Sequence, residues 1–333
     1  MTQPKIICLT PVRNEAWILK AFLSATSLWA DIIIIADQMS TDGSREIARQ
    51  FPKVKLLENN RSDIHMGDVR CMLMEEARKI DGDKILVTLD ADEFWAGDFT
   101  NTLTWKRILN SEPDDVFEFK WINLRPGMKT YRLEPTIHFN WVIHASEDFF
   151  ESDYPKNRFI HEPRLRWSRK TTEGKEFLCD DMRAIHFCHV NEKRVGNKLL
   201  FYQFSSVAIP NKVYNIISLY RQYNQPQNNA CVLPIPEGMY DWYLSKGVDI
   251  LALIDFSDIG KYYTEQVQYY LERDGAKKYA ILDVWNKDFC EFYHQKDPRN
   301  GWQKLVHLYL RATKKYSRSM LVRVIDKVLK KIY

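Results

Sequence analysis

Residues 85–93 read Ile-Leu-Val-Thr-Leu-Asp-Ala-Asp-Glu. The apolar run from Ile85 to Leu89 predicts a buried strand, with Asp90, Asp92 and Glu93 crowded at its carboxyl end. Continued as extended chain, the backbone would turn Asp90 and Asp92 to one side, about 7 Å apart. Carboxylates that close repel each other, and a hard divalent cation shared with phosphate oxygens would relieve the repulsion. A solvated acidic turn capping the next helix is the plain alternative, since short motifs recur by chance.

The chain upstream bears on that choice. Lys5 to Thr10 reads as a strand, and Asn14 to Trp29 carries apolar residues at helical spacing (Trp17, Ile18, Ala21, Phe22, Ala25, Leu28). Asp31 to Asp37 holds four consecutive isoleucines, the pattern of a strand buried on both faces. Ser44 to Phe51 predicts a helix after the turn Thr41-Asp42-Gly43. Val54 to Leu57 predicts a strand, and Asp68 to Lys79 a helix. This alternation implies right-handed crossovers and a mostly parallel sheet. In such sheets ligands bind at the carboxyl ends of strands, and Arg13, Asp37 and Asp90 all fall at or just past such ends.

Composition narrows the class. The 333 residues are 45% hydrophobic, 13% aromatic and 28% charged, enough for a large core in one elaborated domain or two. No apolar run reaches the length of a membrane span, and no signal-peptide pattern opens the sequence. Six cysteines without a C-x-x-C pair read as reduced thiols of a cytoplasmic protein. The net charge of +4 is unevenly spread: Arg311 to Tyr333 holds eight basic residues and one acidic, while the other 310 residues hold 40 basic and 43 acidic. With no basic surplus in the body and no RNA-binding motif, a nucleic-acid partner is disfavoured.

Four segments in order resemble glycosyltransferase family 2, which has the GT-A fold. They are Thr10-Pro11-Val12-Arg13-Asn14-Glu15, then Ile32 to Asp37 followed by Ser40-Thr41-Asp42-Gly43-Ser44, then Arg70, then Asp90-Ala91-Asp92 in place of the D-x-D motif. One position departs from the pattern: Gln38 stands where a second acid often follows the first. The resemblance implies an α/β, Rossmann-like, mostly parallel sheet flanked by helices, with a largely helical C-terminal extension. It also implies a metal-dependent inverting transferase using a nucleotide-sugar, a UDP-sugar foremost. Carried over by position, Asp37 accepts from the nucleobase N–H. Pro11, Arg13, Glu15, Arg70, Asp90 and Ala91 complete the nucleotide-sugar set, and Asp92 ligates Mn²⁺ or Mg²⁺.

The second half offers candidates for a general base: Glu162 first, then Asp181 and its neighbour Asp180, with Glu147 and Asp148 behind. His161-Glu162 and Ile185-His186-Phe187 resemble a paired motif of bacterial surface-polysaccharide and lipopolysaccharide-core enzymes. That likeness makes His186 a candidate third metal ligand or phosphate contact and implies a glycan or lipid-linked acceptor. A histidine inside an apolar strand is as often a core residue. Cys188 and His189 beside it lack a second ligand pair for zinc. Lys193, Arg194, Lys198 and Tyr202 read as a solvated helix face.

Residues 1–192 are expected to form the catalytic domain, with a donor half (1–100) and an acceptor half (101–192). A helical extension (193–300) and two basic amphipathic helices (301–333) follow. Leu321, Ile325, Val328 and Ile332 at helical spacing, among lysines and arginines, suit an anionic membrane surface, such as the inner face of the cytoplasmic membrane. A helix packed on the protein with its basic side in water is the alternative. Two rival activities remain: a sugar-1-phosphate nucleotidyltransferase, disfavoured because Pro11 to Asn14 has no glycine, and a catalytically inactive nucleotide-sugar-binding protein.

Overall fold

A computed structural model describes residues 3–60, 66–133, 139–145, 164, 174–209, 214–224 and 232–332 of the chain; the side chains of residues 66, 139, 140 and 332 are not described. The strands are β1 (Lys5–Val12), β2 (Ile32–Asp37), β3 (Val54–Glu58), β4 (Lys84–Thr88), β5 (Glu93–Trp95), β6 (Val116–Phe119), β7 (Trp121–Leu124), β8 (Thr130–Leu133), β9 (Phe139–Ala145), β10 (Glu176–Leu178), β11 (Ala184–His186) and β12 (Val232–Pro234). The α-helices are α1 (Ala16–Thr26), α2 (Ser44–Ala48), α3 (Met66–Arg78), α4 (Leu103–Leu109), α5 (Glu192–Ala208), α6 (Ile216–Tyr223), α7 (Asp241–Ser245), α8 (Lys261–Asp274), α9 (Lys287–Phe292), α10 (Gly301–Ala312) and α11 (Met320–Ile332). The expected mixed α/β architecture with a helical C-terminal part is what the chain forms.

The chain divides into two compact units: Met1–Val190 with Cys231–Ser257, and Asn191–Ala230 with Asp258–Tyr333. The sequence reading ran one extension from 193 to 300. Residues 231–257 instead return to the first unit, because β12 pairs with β8 and the buried Tyr243 hydroxyl donates to the Trp95 carbonyl at 3.0 Å. Nor do α10 and α11 stand apart from the second unit's other helices: Arg221 of α6 pairs with Asp326 of α11 at 2.8 Å.

In the first unit the large sheet runs β10-β6-β9-β4-β1-β2-β3, with β4, β1, β2 and β3 parallel. Strand alternation explains the isoleucine run. Ile33 and Ile35, with Cys8, Ile85 and Val87, point into the core under α1; Ile34, with Ile7, Leu9 and Leu86, points into the core under α3. Both faces are covered, so Ile33, Ile34 and Ile35 are fully removed from water, at about 25 cal/mol per Å² of apolar area, and Ile32 is half-buried at the start of the strand. Residues 116–123 alternate as one strand would, but the chain breaks at Lys120 into β6 and β7, which join different sheets. The smaller sheet, β12-β8-β7-β11-β5, carries half of the site.

In the second unit, α5 and α8 meet through aromatic rings, with Phe201 and Tyr263 centroids 5.6 Å apart. Phe204 stacks on Tyr279 at 4.5 Å. Arg194 is ion-paired with Asp258, so it is a structural residue of this unit rather than a solvated one. Among the described residues no helix is long and apolar enough to cross a membrane, and the five described cysteines are free thiols.

Candidate functional site

The carboxyl ends of β2, β1 and β4 lie side by side, in the register Val12 to Asp37 and Leu9 to Thr88. Asp37 ends β2, and Asp90 to Asp92 follow β4. One strand lies between, so the two acidic positions stand about 10 Å apart along the rim by strand spacing.

The Ser40–Ser44 signature has a local physical purpose. The chain leaves β1 at Asn14 with φ of 54° and enters α1 with its first N–H groups unpaired. Side chains from the next loop satisfy them: Asn14 N donates to Ser40 Oγ (2.9 Å), Glu15 N to Ser44 Oγ (3.0 Å) and Ala16 N to Asp42 Oδ2 (2.9 Å). Asp42 Oδ1 also accepts from Ser44 N at 3.0 Å, and Gly43 supplies the left-handed turn at φ 96°. The signature thus clamps the β1 loop, with half-buried Pro11, Arg13 and Glu15, against the β2 loop. Glu15 accepts from the Trp17 indole at 2.6 Å.

Asp37 is 1% exposed. Its Oδ2 accepts from Ser40 N at 3.1 Å and from Arg45 Nε at 2.5 Å. Its Oδ1 is buried with no hydrogen-bond partner among the described residues. A buried carboxylate oxygen without a donor is costly, and such an atom marks a place where a ligand donor fits. Arg45 was not singled out in the sequence, although a basic residue on the helix after Asp37 is the signal that could have found it.

The acids after β4 differ from the extended geometry expected of them. Glu93 N donates to the Asp90 carbonyl at 3.0 Å, closing a turn over Asp90–Glu93, so alternation along a strand does not apply. Asp90 is bracketed by two arginines: Arg70 Nη2 meets Oδ1 at 3.0 Å and Arg164 Nη2 meets Oδ2 at 3.0 Å. Burial pushes the Asp90 carboxyl up, but Arg164 and Arg70 more than reverse this and hold it below the usual range. Arg70 therefore pairs with neither Asp68 nor Glu75; its Nη1 is buried without a hydrogen-bond partner among the described residues. Ala91 is buried in the turn.

Glu93 is the centre of this cluster and carried no role in the sequence reading. It is fully buried and accepts from Arg164 Nη1 and Nη2 (both 2.6 Å), from the Trp121 indole (2.7 Å) and from Asp90 N (2.9 Å). The Arg164 guanidinium also lies over the Trp121 and Trp141 rings, 5.3 and 5.0 Å from their centroids. Carboxylate, guanidinium and indole thus form a dry scaffold that fixes the turn bearing Asp92.

Asp92 reaches His186, with Oδ2 3.6 Å from Nε2. The pairing of β11 with β5 and β7 sets His186 opposite Glu93 and Asn123. The Asn123 amide oxygen accepts from His186 Nδ1 at 2.8 Å, which leaves Nε2 aimed at Asp92. The Trp121 ring stacks on the imidazole at 4.9 Å. Burial lowers the His186 imidazolium, but Cys188 and Asp92 outweigh it and raise the group well above its ordinary value. Burial raises the Cys188 thiol, and the neighbouring His186 and His189 bring it down to about 7.

A carboxylate oxygen beside an imidazole whose other nitrogen is anchored by a hydrogen bond is donor chemistry that Mn²⁺ accepts, and Mg²⁺ less readily. No cluster of three or more His, Cys, Asp or Glu side chains forms a metal cage among the described residues. Asp92 and His186 fit an ion that displaces the His186 proton, since an imidazole ligates only when neutral, and that completes its coordination with substrate oxygens and water.

Of the candidate bases, the two described ones, Asp180 and Asp181, do not join this site. Glu162, Glu147 and Asp148 lie outside the described residues. Asp181 accepts from Thr104, through its hydroxyl and at 3.2 Å through its backbone N–H, in the first turn of α4. Asp180 pairs with Lys120 at 2.7 Å. Both line a cavity of about 270 Å³ with Arg183 and Glu237, before the start of β11, whereas His186 stands at its end. Asp181 is thus a helix-capping residue away from Asp92, which corrects its reading as a base.

No curated protein matches the chain. Similar solved structures include 4-diphosphocytidyl-2C-methyl-D-erythritol synthase (9% identity, 44% of this chain and 74% of that one, TM-score 0.28). The inositol-1-phosphate CTP transferase of T. maritima is another (7% identity, 56% and 91%, TM-score 0.36). A third is the mannose-1-phosphate geranyltransferase of Thermus thermophilus (13% identity, 56% and 58%, TM-score 0.27). Scores this low say nothing about chemistry. The family comparison is more direct, because it covers Asp37 at the end of β2, Arg70 on α3, and Asp90 and Asp92 in the turn after β4. Residues 8–117, about a third of the chain, match the family model described as Glycosyl transferase family 2.

Proposed function

We propose that the chain transfers a sugar from a nucleotide-activated donor, foremost a UDP-sugar, to a glycan or lipid-linked acceptor, with inversion at the anomeric carbon. The observation that carries this is the rim: a buried, donor-seeking Asp37 Oδ1 at the end of β2, two strands along from β4, whose following turn bears Asp92 beside His186. A nucleoside diphosphate offers a ring N–H at one end and two phosphates at the other. Asp37 Oδ1 accepts from the ring N–H of the base, and Arg45 holds the other carboxylate oxygen in place. Asp92 and His186 hold a divalent cation, Mn²⁺ or Mg²⁺, which when bound neutralises the diphosphate leaving group. Arg70 Nη1 is a buried donor for a phosphate oxygen. The cluster of Arg164, Glu93 and Trp121 keeps the Asp92 turn from moving. In the reaction an acceptor oxygen bonds the anomeric carbon, the bond from that carbon to the phosphate oxygen breaks, and the acceptor proton passes to a carboxylate, for which Glu162 is the candidate. Positioning and charge stabilisation supply most of the acceleration.

A thermal-shift screen over UDP-, GDP-, dTDP- and CMP-sugars, with and without Mn²⁺, tests the donor class. A ligand that binds only the folded state raises the melting temperature. One class, UDP by this reading, should shift it with Mn²⁺ present; a screen in which none does removes the proposal. Asp37→Asn should weaken that donor about tenfold or more, the scale of losing a charged hydrogen bond. An unchanged Kd would detach Asp37 from the base.

A further inference from the structure

We propose that the exposed apolar stripe of α11, with its flanking basic residues, docks on an anionic lipid bilayer. This helix has two faces with different fates. Buried Val322, half-buried Leu329 and the Asp326–Arg221 ion pair fix one face to the second unit. Leu321, Val324 and Val328, at spacings of three and four, share another face and are 71%, 52% and 55% exposed. No described residue of the unit covers them.

Charge identifies the occupant. Arg323, Lys327, Lys330 and Lys331 are exposed on the same helix, and Arg318 precedes it. Its one acid, Asp326, is buried against Arg221 and offers no countercharge. On a 3.6-residue period Lys327 and Lys331 border the Leu321–Val328 stripe, so their ammonium groups can reach lipid phosphates while the apolar side chains enter the acyl boundary. On α10, Trp302, Leu305 and Leu308 are exposed in the same way, and Tyr309 joins α10 to Asp326 at 2.9 Å. A helix that is apolar and basic at once suits an anionic bilayer better than water, and better than an acidic protein, which would leave the leucine and valines exposed. The proposal stands on the second unit alone, so its outcome is independent of that for sugar transfer.

Sedimentation of the full chain with vesicles of phosphatidylcholine, with or without phosphatidylglycerol, tests it. The chain should sediment with the anionic vesicles only, and less at high salt. The triple variant Lys327→Ser, Lys330→Ser, Lys331→Ser changes only exposed groups and should weaken binding by at least about tenfold, at several-fold per charge. Leu321→Asp with Val328→Asp should abolish it while the circular dichroism spectrum is kept. Absence of binding to anionic vesicles overturns the proposal, as does equal binding to neutral ones. So does concentration-dependent self-association that the Leu321→Asp, Val328→Asp variant abolishes, which would make a second copy the occupant.

Discussion

Asp92→Ala should lower sugar transfer and donor hydrolysis at least about 10²- to 10³-fold, the scale of removing one preorganised electrostatic contact from a developing charge. The fold should survive, because Asp92 lies outside the Arg164–Glu93 pair that holds the turn. A chelator should reproduce the loss in the wild-type chain and change the variant little, since both remove the same cation. His186→Ala should fall in the same direction by a smaller factor, as one of two donors. Full activity of Asp92→Ala, or of the wild type with its metals stripped, would show that Asp92 serves only as a turn residue beside His186.

Arg164→Ala should destabilise the first unit by about 3–5 kcal/mol, because it leaves Glu93 as a buried charge with its main partner removed. For a unit of this size that corresponds to a fall of about 6–20 °C in melting temperature. The deficit should depend on pH. Burial already raises the folded-state pKa of Glu93 above its unfolded value of about 4.3 with Arg164 in place, and removing Arg164 raises it further. The penalty is then incurred as pH rises above that unfolded value, and it disappears as pH falls below it and Glu93 is protonated in both states. Differential scanning calorimetry of both proteins between neutral and acidic pH should therefore show the gap closing on acidification. A pH-independent gap, or a melting temperature unchanged by the substitution, would mean that Glu93 does not depend on Arg164.

The parts of the architecture legible in the sequence were those set by local period. The isoleucines at 32–35 declared a strand buried on both faces, and the structure divides them between two cores by alternation. Asp37 and the Asp90–Asp92 segment were placed at strand ends for the same reason. Local reasoning failed where long-range contacts decide. Arg164 reaches Glu93 across 71 positions, and no pattern around either residue announces that partner. Extended geometry was assumed through Asp90 and Asp92, but one backbone bond from Glu93 folds them into a turn. Asp181 was a candidate base only as an acid of the second half; its carboxylate accepts from the N–H and hydroxyl groups of Thr104. Residues 231–257 show no period linking them to the first unit, and only the pairing of β12 with β8 reveals the return.

The central claim is that the rim seats a nucleoside diphosphate through a base contact at Asp37 and a cation at Asp92. Titration calorimetry of UDP into the full chain, in Mn²⁺ and in excess chelator, measures it most directly. Saturable binding that needs Mn²⁺, weakens in Asp37→Asn and vanishes in Asp92→Ala is the predicted result. Binding of equal strength in chelator, or no binding under either condition, would contradict it.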